Sequence, residues 1–104
     1  MISLSTTALE QIRRSAETGD MQSIPLRVAV KKLDDGSLHY AMGFDEHKFP
    51  GDTFFNFDGV DLVVSTGSKD LADGMSIDYV ELEPGKLEFI FLNPNDPAYV
   101  PPRD

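Results

Sequence analysis

Apolar residues recur along this chain with two different periods. Between Thr6 and Glu17 the spacing is helical: Ala8, Leu9, Ile12 and Ala16 gather on one face, which predicts an amphipathic helix. Ser5 or Thr6 is placed to cap its first amides. Arg13 and Arg14 come late in the segment, where the helix dipole favours cations. Thr18-Gly19-Asp20 predicts its end, with Gly19 in the left-handed stop position. After Pro25 the period becomes two. Leu26, Val28 and Val30 alternate with Arg27, Ala29 and Lys31, the pattern of a half-buried strand. Asp34-Asp35-Gly36 predicts a tight two-residue turn. Beyond it, Leu38, Tyr40, Met42 and Phe44 share one face of a second strand, and Ser37, His39, Ala41 and Gly43 share the other.

Asp45 to Asp52 is a polar loop with a Pro50-Gly51 turn. A second hairpin is expected from Thr53 to Phe57, through Asp58-Gly59, into Val60 to Val64. Ser65 to Asp73 reads as a loop with a short helical turn stopped at Gly74. A third hairpin runs from Met75 to Leu82, through Pro84-Gly85, into Leu87 to Leu92, where Asn93-Pro94-Asn95 breaks the strand. Residues 96–104 carry three prolines and no periodicity, which predicts a loose tail. The sum is an α+β fold: one N-terminal helix, then about six strands in successive hairpins forming a mostly antiparallel sheet or sandwich.

The chain length of 104 residues fits a single domain, and a hydrophobic fraction of 40% with seven Phe and three Tyr supplies one modest core. Nine basic against 18 acidic residues leave a net charge of −9, which repels phosphate backbones and anionic membrane surfaces. No stretch approaches the roughly 20 apolar residues of a membrane span. Met1-Ile2-Ser3-Leu4-Ser5 lacks the basic start and apolar run of a signal peptide, so a cytoplasmic protein is expected. There is no cysteine, so any function must work without a thiol.

Candidate chemistry is sparse. Asp34 and Asp35 are adjacent carboxylates that could serve a hard cation, yet Asp-Gly is also what a two-residue hairpin turn requires, and the turn reading takes precedence. His39 lies on the polar face of its strand and could join Asp34 and Asp35 as a metal site. His47 sits in a charged loop, and with two histidines at unrelated spacing both read first as surface residues. Ser37 and His39 share a strand face but lack a third triad member and an oxyanion-hole motif. The glycines are scattered at turns and in strands, without a phosphate-binding loop. Phe54, Phe55, Phe57, Phe89 and Phe91 fall on predicted strands and are assigned to the core. The segment Pro97 to Pro102 could dock in an aromatic groove, with an unstructured end as the plainer reading.

Six short pieces, in order, carry a family resemblance: ISLSTTALEQIR, LRVAV, YAMGFDE, FDGVDLVV, LADGMSIDYV and FIFLNPN, spanning Ile2 to Asn95. On these the chain resembles the HesB/IscA-like A-type iron–sulfur cluster assembly proteins. The resemblance implies one such domain over residues 1–95, with residues 96–104 as a Pro-rich tail. It also implies self-association, as a homodimer, and protein partners within iron–sulfur assembly. The family's activity rests on three cysteines: one in a Gly-Cys-Ser-Gly-type turn and two in a C-terminal Cys-Gly-Cys. Thiolates are soft anionic donors suited to iron and its clusters. The matching positions here are Asp35, Val100 and Pro102, so the ligand set is not carried over. The resemblance therefore implies a cysteine-free, non-enzymatic binding or scaffold protein that holds no cofactor. A divalent-metal module built on Asp34, Asp35 and His39 is the alternative reading, and a small hydrolase-like enzyme the third.

Overall fold

The helical spacing near the start does produce a helix, α1 (Thr6–Thr18), entered from a two-residue strand, β1 (Ser3–Leu4). The computed structural model describes residues 2–99. Ser5 is the N-cap, its Oγ accepting from the Ala8 amide at 3.1 Å. Ala8, Ile12 and Ala16 are the buried stripe, one residue per turn. At the far end the left-handed residue is Asp20 (φ 57) and not Gly19, which has φ −91. Gly19 still donates its amide to the Ser15 carbonyl and so closes the last turn. Asp is among the few residues that tolerate the left-handed region, which is why the reversal could move one position on. No basic residue lies in the last turn. Arg13 is placed mid-helix and reaches sideways to the Asp58 carboxylate at 3.1 Å and to the Asp58 carbonyl.

The alternating segments become β2 (Leu26–Lys32), β3 (Leu38–Phe44), β4 (Thr53–Phe57), β5 (Val60–Val64), β6 (Ser76–Glu83) and β7 (Lys86–Leu92), with a one-turn helix α2 (Thr66–Lys69) after β5. All three expected hairpins form: β2–β3, β4–β5 and β6–β7 are antiparallel. The sheets themselves are mixed. The order β3-β2-β5-β4 joins two hairpins through a parallel pairing in which Leu26, Arg27 and Val28 face Leu62, Val63 and Val64. The other sheet, β1-β6-β7, pairs Ser3 and Leu4 in parallel with Ser76 and Ile77. Period-two patterning identifies strands and hairpins but carries no signal for pairing between distant segments, so these two parallel contacts and the seventh strand were missed. Leu62, Val63 and Val64 are all buried, the continuous apolar run expected where a strand is covered on both faces.

One core fills the space between the sheets and α1. Val28, Leu62, Met75 and Ile77 are fully enclosed beside Ala8 and Ile12. Each such aliphatic side chain contributes about 1.5–3 kcal/mol relative to exposure. Phe55, Phe57, Phe89 and Phe91 pack on this core as expected, but Phe54 faces outward and is 50% exposed. The alternation along β4 forces this, since Phe54 sits between two inward-facing neighbours. The parallel ladder between β2 and β5 ends at Val28, which would leave the Val30 backbone unpaired on that side. Buried Ser68 of α2 takes the place of a strand there: its hydroxyl accepts from the Val30 amide at 3.0 Å and donates to the Val30 carbonyl at 3.1 Å.

Candidate functional site

The β2–β3 connection bears Asp35, the described position expected from the resemblance to match a family cysteine. It is a three-residue loop and not the two-residue turn expected from Asp-Gly. The Gly36 amide donates to the Leu33 carbonyl at 2.9 Å, and the Leu33 amide to the Ser37 carbonyl at 2.8 Å. A two-residue type I′ turn needs positive φ at both central residues. Only Gly36 (φ 88) is left-handed here, so Asp34 and Asp35 form a type I turn followed by a glycine bulge. The type I′ geometry occurs in the next hairpin, at Asp58 (φ 52) and Gly59 (φ 90).

Asp35 is exposed, and its Oδ1 accepts from both the Ser37 hydroxyl (2.6 Å) and the Ser37 amide (2.9 Å). Those bonds, the hydroxyl first, hold its carboxyl below the usual range. Ser37 thus turns its hydroxyl toward Asp35, away from the His39 pairing a hydrolase would need. His39 is exposed on β3 opposite Lys31. Among the described residues no three His, Cys, Asp or Glu side chains converge as a metal-binding group. Val100 and Pro102 lie outside the described residues. The start of the expected loose tail is a built turn: the Tyr99 amide bonds the Asp96 carbonyl, and Asp96 accepts from the Tyr40 hydroxyl at 2.7 Å. Burial, and then Asp96, push the Tyr40 phenol up to about 12, and its ring stacks on Phe91 with centroids 4.7 Å apart. The chain after β7 is therefore fastened to β3, the strand that leaves the Asp35 turn.

The strongest polar constellation was not singled out from the sequence. Arg27, on the outward face of β2, makes five donor contacts. Nε reaches Asp45 (2.7 Å), Nη1 reaches Asp52 (3.1 Å) and Ser65 (2.8 Å), and Nη2 reaches Asp52 (2.9 Å) and the His47 carbonyl (3.1 Å). Phe49 lies with its ring centroid 5.1 Å from the guanidinium. Asp52 also accepts from the Phe49 amide, and Asp45 from the His47 amide and Nδ1. The backbone and ring of His47, then Arg27, bring the Asp45 carboxyl down to about 2. Asp52 is lowered chiefly by Arg27, and Arg27 is raised chiefly by Asp52 against the opposing effect of burial. The guanidinium has five N–H donors and all five are engaged, so the arrangement cannot receive an anion. It straps the 45–52 loop across the sheet. The available signal was an arginine within an apolar strand followed by a loop bounded by Asp45 and Asp52.

No family model matches the chain. Among curated proteins, an Aquifex aeolicus protein is 34% identical over 73 residues, covering 70% of this chain and 63% of that relative, so the chain spans less than two thirds of its length. The iron-sulfur cluster insertion protein ErpA of Marinobacter nauticus is 33% identical over 88 residues, covering 85% of this chain and 79% of the relative. Among solved structures, IscA with a [2Fe-2S] cluster superposes with a TM-score of 0.76 at 23% identity, over 90% of this chain and 86% of that one.

Proposed function

We propose, from the premise that the chain belongs to the HesB/IscA-like family of iron–sulfur cluster assembly proteins, that it serves cluster assembly in the cytoplasm as a non-enzymatic protein-binding member and does not carry the cluster on thiolates. The observation behind this reading is the family fold on a sequence with no cysteine. A cluster as cargo needs several soft, anionic sulfur donors converging on one point. Asp35 offers only hard oxygen donors, one of which Ser37 already occupies, and methionine thioethers are neutral. The residues present do not fit the cargo. What remains of the family's character is the surface presented by the scaffold, and protein contact is the function that needs no thiol.

Two measurements test this. Anaerobic incubation with ferrous iron and sulfide, followed by desalting, should leave the visible spectrum featureless; stoichiometric cluster absorption would overturn the non-carrier reading. Affinity capture of the full chain in its native cell should enrich iron–sulfur assembly or recipient proteins over a surface-matched control protein. Absence of every such protein from the captured set would overturn the contact reading.

A further inference from the structure

We infer that a groove between the second half of α1 and the β4–β5 turn is the docking site for a basic segment of a protein partner. The segment would lay the aliphatic stem of a Lys or Arg on the groove floor and set its cationic end beside Glu17 and Asp61. This rests on the protein-binding reading above and names the surface and the chemistry of the partner. The floor is apolar, made by Ile12, Ala16, Phe44 and Val60, and Met21 at the edge is 37% exposed. Glu17, Asp58 and Asp61 stand around it. An apolar bed with an anionic margin is the complement of a long side chain that buries its methylenes and keeps its charge at the surface.

Three observations select this occupant. The groove encloses about 220 Å³, below the roughly 300–1,000 Å³ typical of small-molecule sites, so it takes one or two side chains in preference to a metabolite. Among the described residues the cation on its margin is Arg13, already matched by Asp58, to whose carboxylate and carbonyl it is bonded. That leaves two carboxylates without a matching charge: Glu17 has no side-chain partner among the described residues, and Asp61 accepts only the neutral amide of Asn56 at 2.9 Å. Lastly, the net charge of −9 attracts a basic partner over distance. The type I′ turn at Asp58-Gly59, tied to α1 by Arg13, holds this margin in place before any partner arrives.

The test is an amide-resolved NMR titration of the full chain with a capped Gly-Lys-Leu-Arg-Lys-Gly peptide, beside the same peptide with Gln in place of Lys and Arg. The basic peptide should give saturable shifts centred on Glu17, Met21, Gly59 and Asp61, and the Gln peptide none. Glu17→Gln with Asp61→Asn should weaken binding by about tenfold, as expected for removing two charges that meet a cation at a part-desolvated surface. Glu81→Gln with Glu88→Gln removes the same charge elsewhere and should leave binding within about twofold. Absent saturation, shifts scattered over the acidic surface, or equal weakening in both double variants would each overturn the assignment; the amide spectrum of each variant verifies its fold. If the Glu17→Gln/Asp61→Asn chain captures the same assembly proteins from the cell as the parent, the groove is wrong and the protein-binding function stands. If the parent captures none, the function reading falls whatever the peptide does.

Discussion

Ser68→Ala removes one oxygen and should cost this fold more than any exposed substitution of the same size. The hydroxyl lies at a residue only 6% exposed and serves both hydrogen-bonding groups of Val30, where the β2–β5 ladder has run out. In the alanine variant the Val30 amide and carbonyl stay enclosed with no partner. One unsatisfied buried polar group costs about 1–3 kcal/mol, and two that share one lost partner give about 2–4 kcal/mol after partial relaxation. That is a large part of the roughly 5–15 kcal/mol that holds a domain of this size together, and corresponds to a fall in Tm of about 10–25 °C. Urea unfolding followed by circular dichroism measures it, with the slope m unchanged if the variant loses stability and not compactness. Hydrogen exchange adds a local readout, since the Val30 amide should lose protection while its neighbours in the β2–β3 ladder keep theirs. Ser37→Ala at the exposed turn is the comparison and should shift stability by less than about 0.5 kcal/mol. A Ser68→Ala loss no larger than that of Ser37→Ala, or an unchanged Val30 amide, would refute the capping argument.

Asp45 is held down to about 2 and Asp52 is also lowered, so the folded state binds protons less readily than the unfolded chain. The stability they confer is full above the ordinary carboxylate value of about 3.9 and is lost as pH falls through that value toward 2. Tm measured from pH 6 to pH 2 should drop steeply below pH 4, and Arg27→Met should have a lower Tm at neutral pH with a shallower acid drop; parallel curves would sink the assignment. Gly51→Ala should lower Tm, because a Cβ there would lie 2.0 Å from Thr66 Oγ1 at φ +84, and adding Thr66→Ala should recover part of the loss by removing the clash. For Asp35→Cys, Val100→Cys and Pro102→Cys together, we expect a gain of iron or cluster binding over the parent. Asp96 fastens the chain to Tyr40, and the four residues from there to Val100 reach at most about 14 Å; iron content and visible absorption equal to the parent in a folded variant would refute it.

Much of the fold was readable because each hairpin is written locally. Period-two runs flank turn residues in all three, and Ser5 with the Ala8, Ile12 and Ala16 stripe marks the helix. What escaped was whatever depends on residues far apart in the chain. The parallel contacts of β2 with β5 and of β1 with β6 join segments more than 30 residues apart and leave no periodic trace. The Arg27 strap joins a strand to side chains 18, 25 and 38 residues later. Turn type at Asp35 differs because Asp-Gly is compatible with both a two-residue turn and a glycine bulge, and the register of the flanking strands, with Lys32 opposite Leu38, decides between them. The exposure of Phe54 was available from the alternation of β4, since neighbours on a strand cannot both face the core. Candidate chemistry was read mainly through absence: lacking cysteine, the sequence excludes thiolate ligation outright, but nothing local in it marks a groove assembled from α1, β3 and a turn.

The way this fold is held together explains why it can exist without the family's ligands. Where a metal or cluster is part of the core, its loss unfolds the protein, because binding and folding share one free energy. Here the turn that carries Asp35 stands at the exposed end of a hairpin, closed by its own backbone bonds and by Ser37. The stabilising elements lie elsewhere: the apolar cluster between the sheets, Ser68 on the Val30 backbone, the Arg27 strap and the Tyr40–Asp96 contact, none of which uses a thiol. An aspartate in place of the cysteine expected at this turn would therefore remove soft-metal chemistry at little cost to the scaffold. A protein surface presented by α1 and the β4–β5 turn is untouched by that exchange, since no residue of the groove belongs to the β2–β3 loop. Cargo chemistry and partner contact are physically separable in this architecture, and a lineage could shed the first while keeping the second.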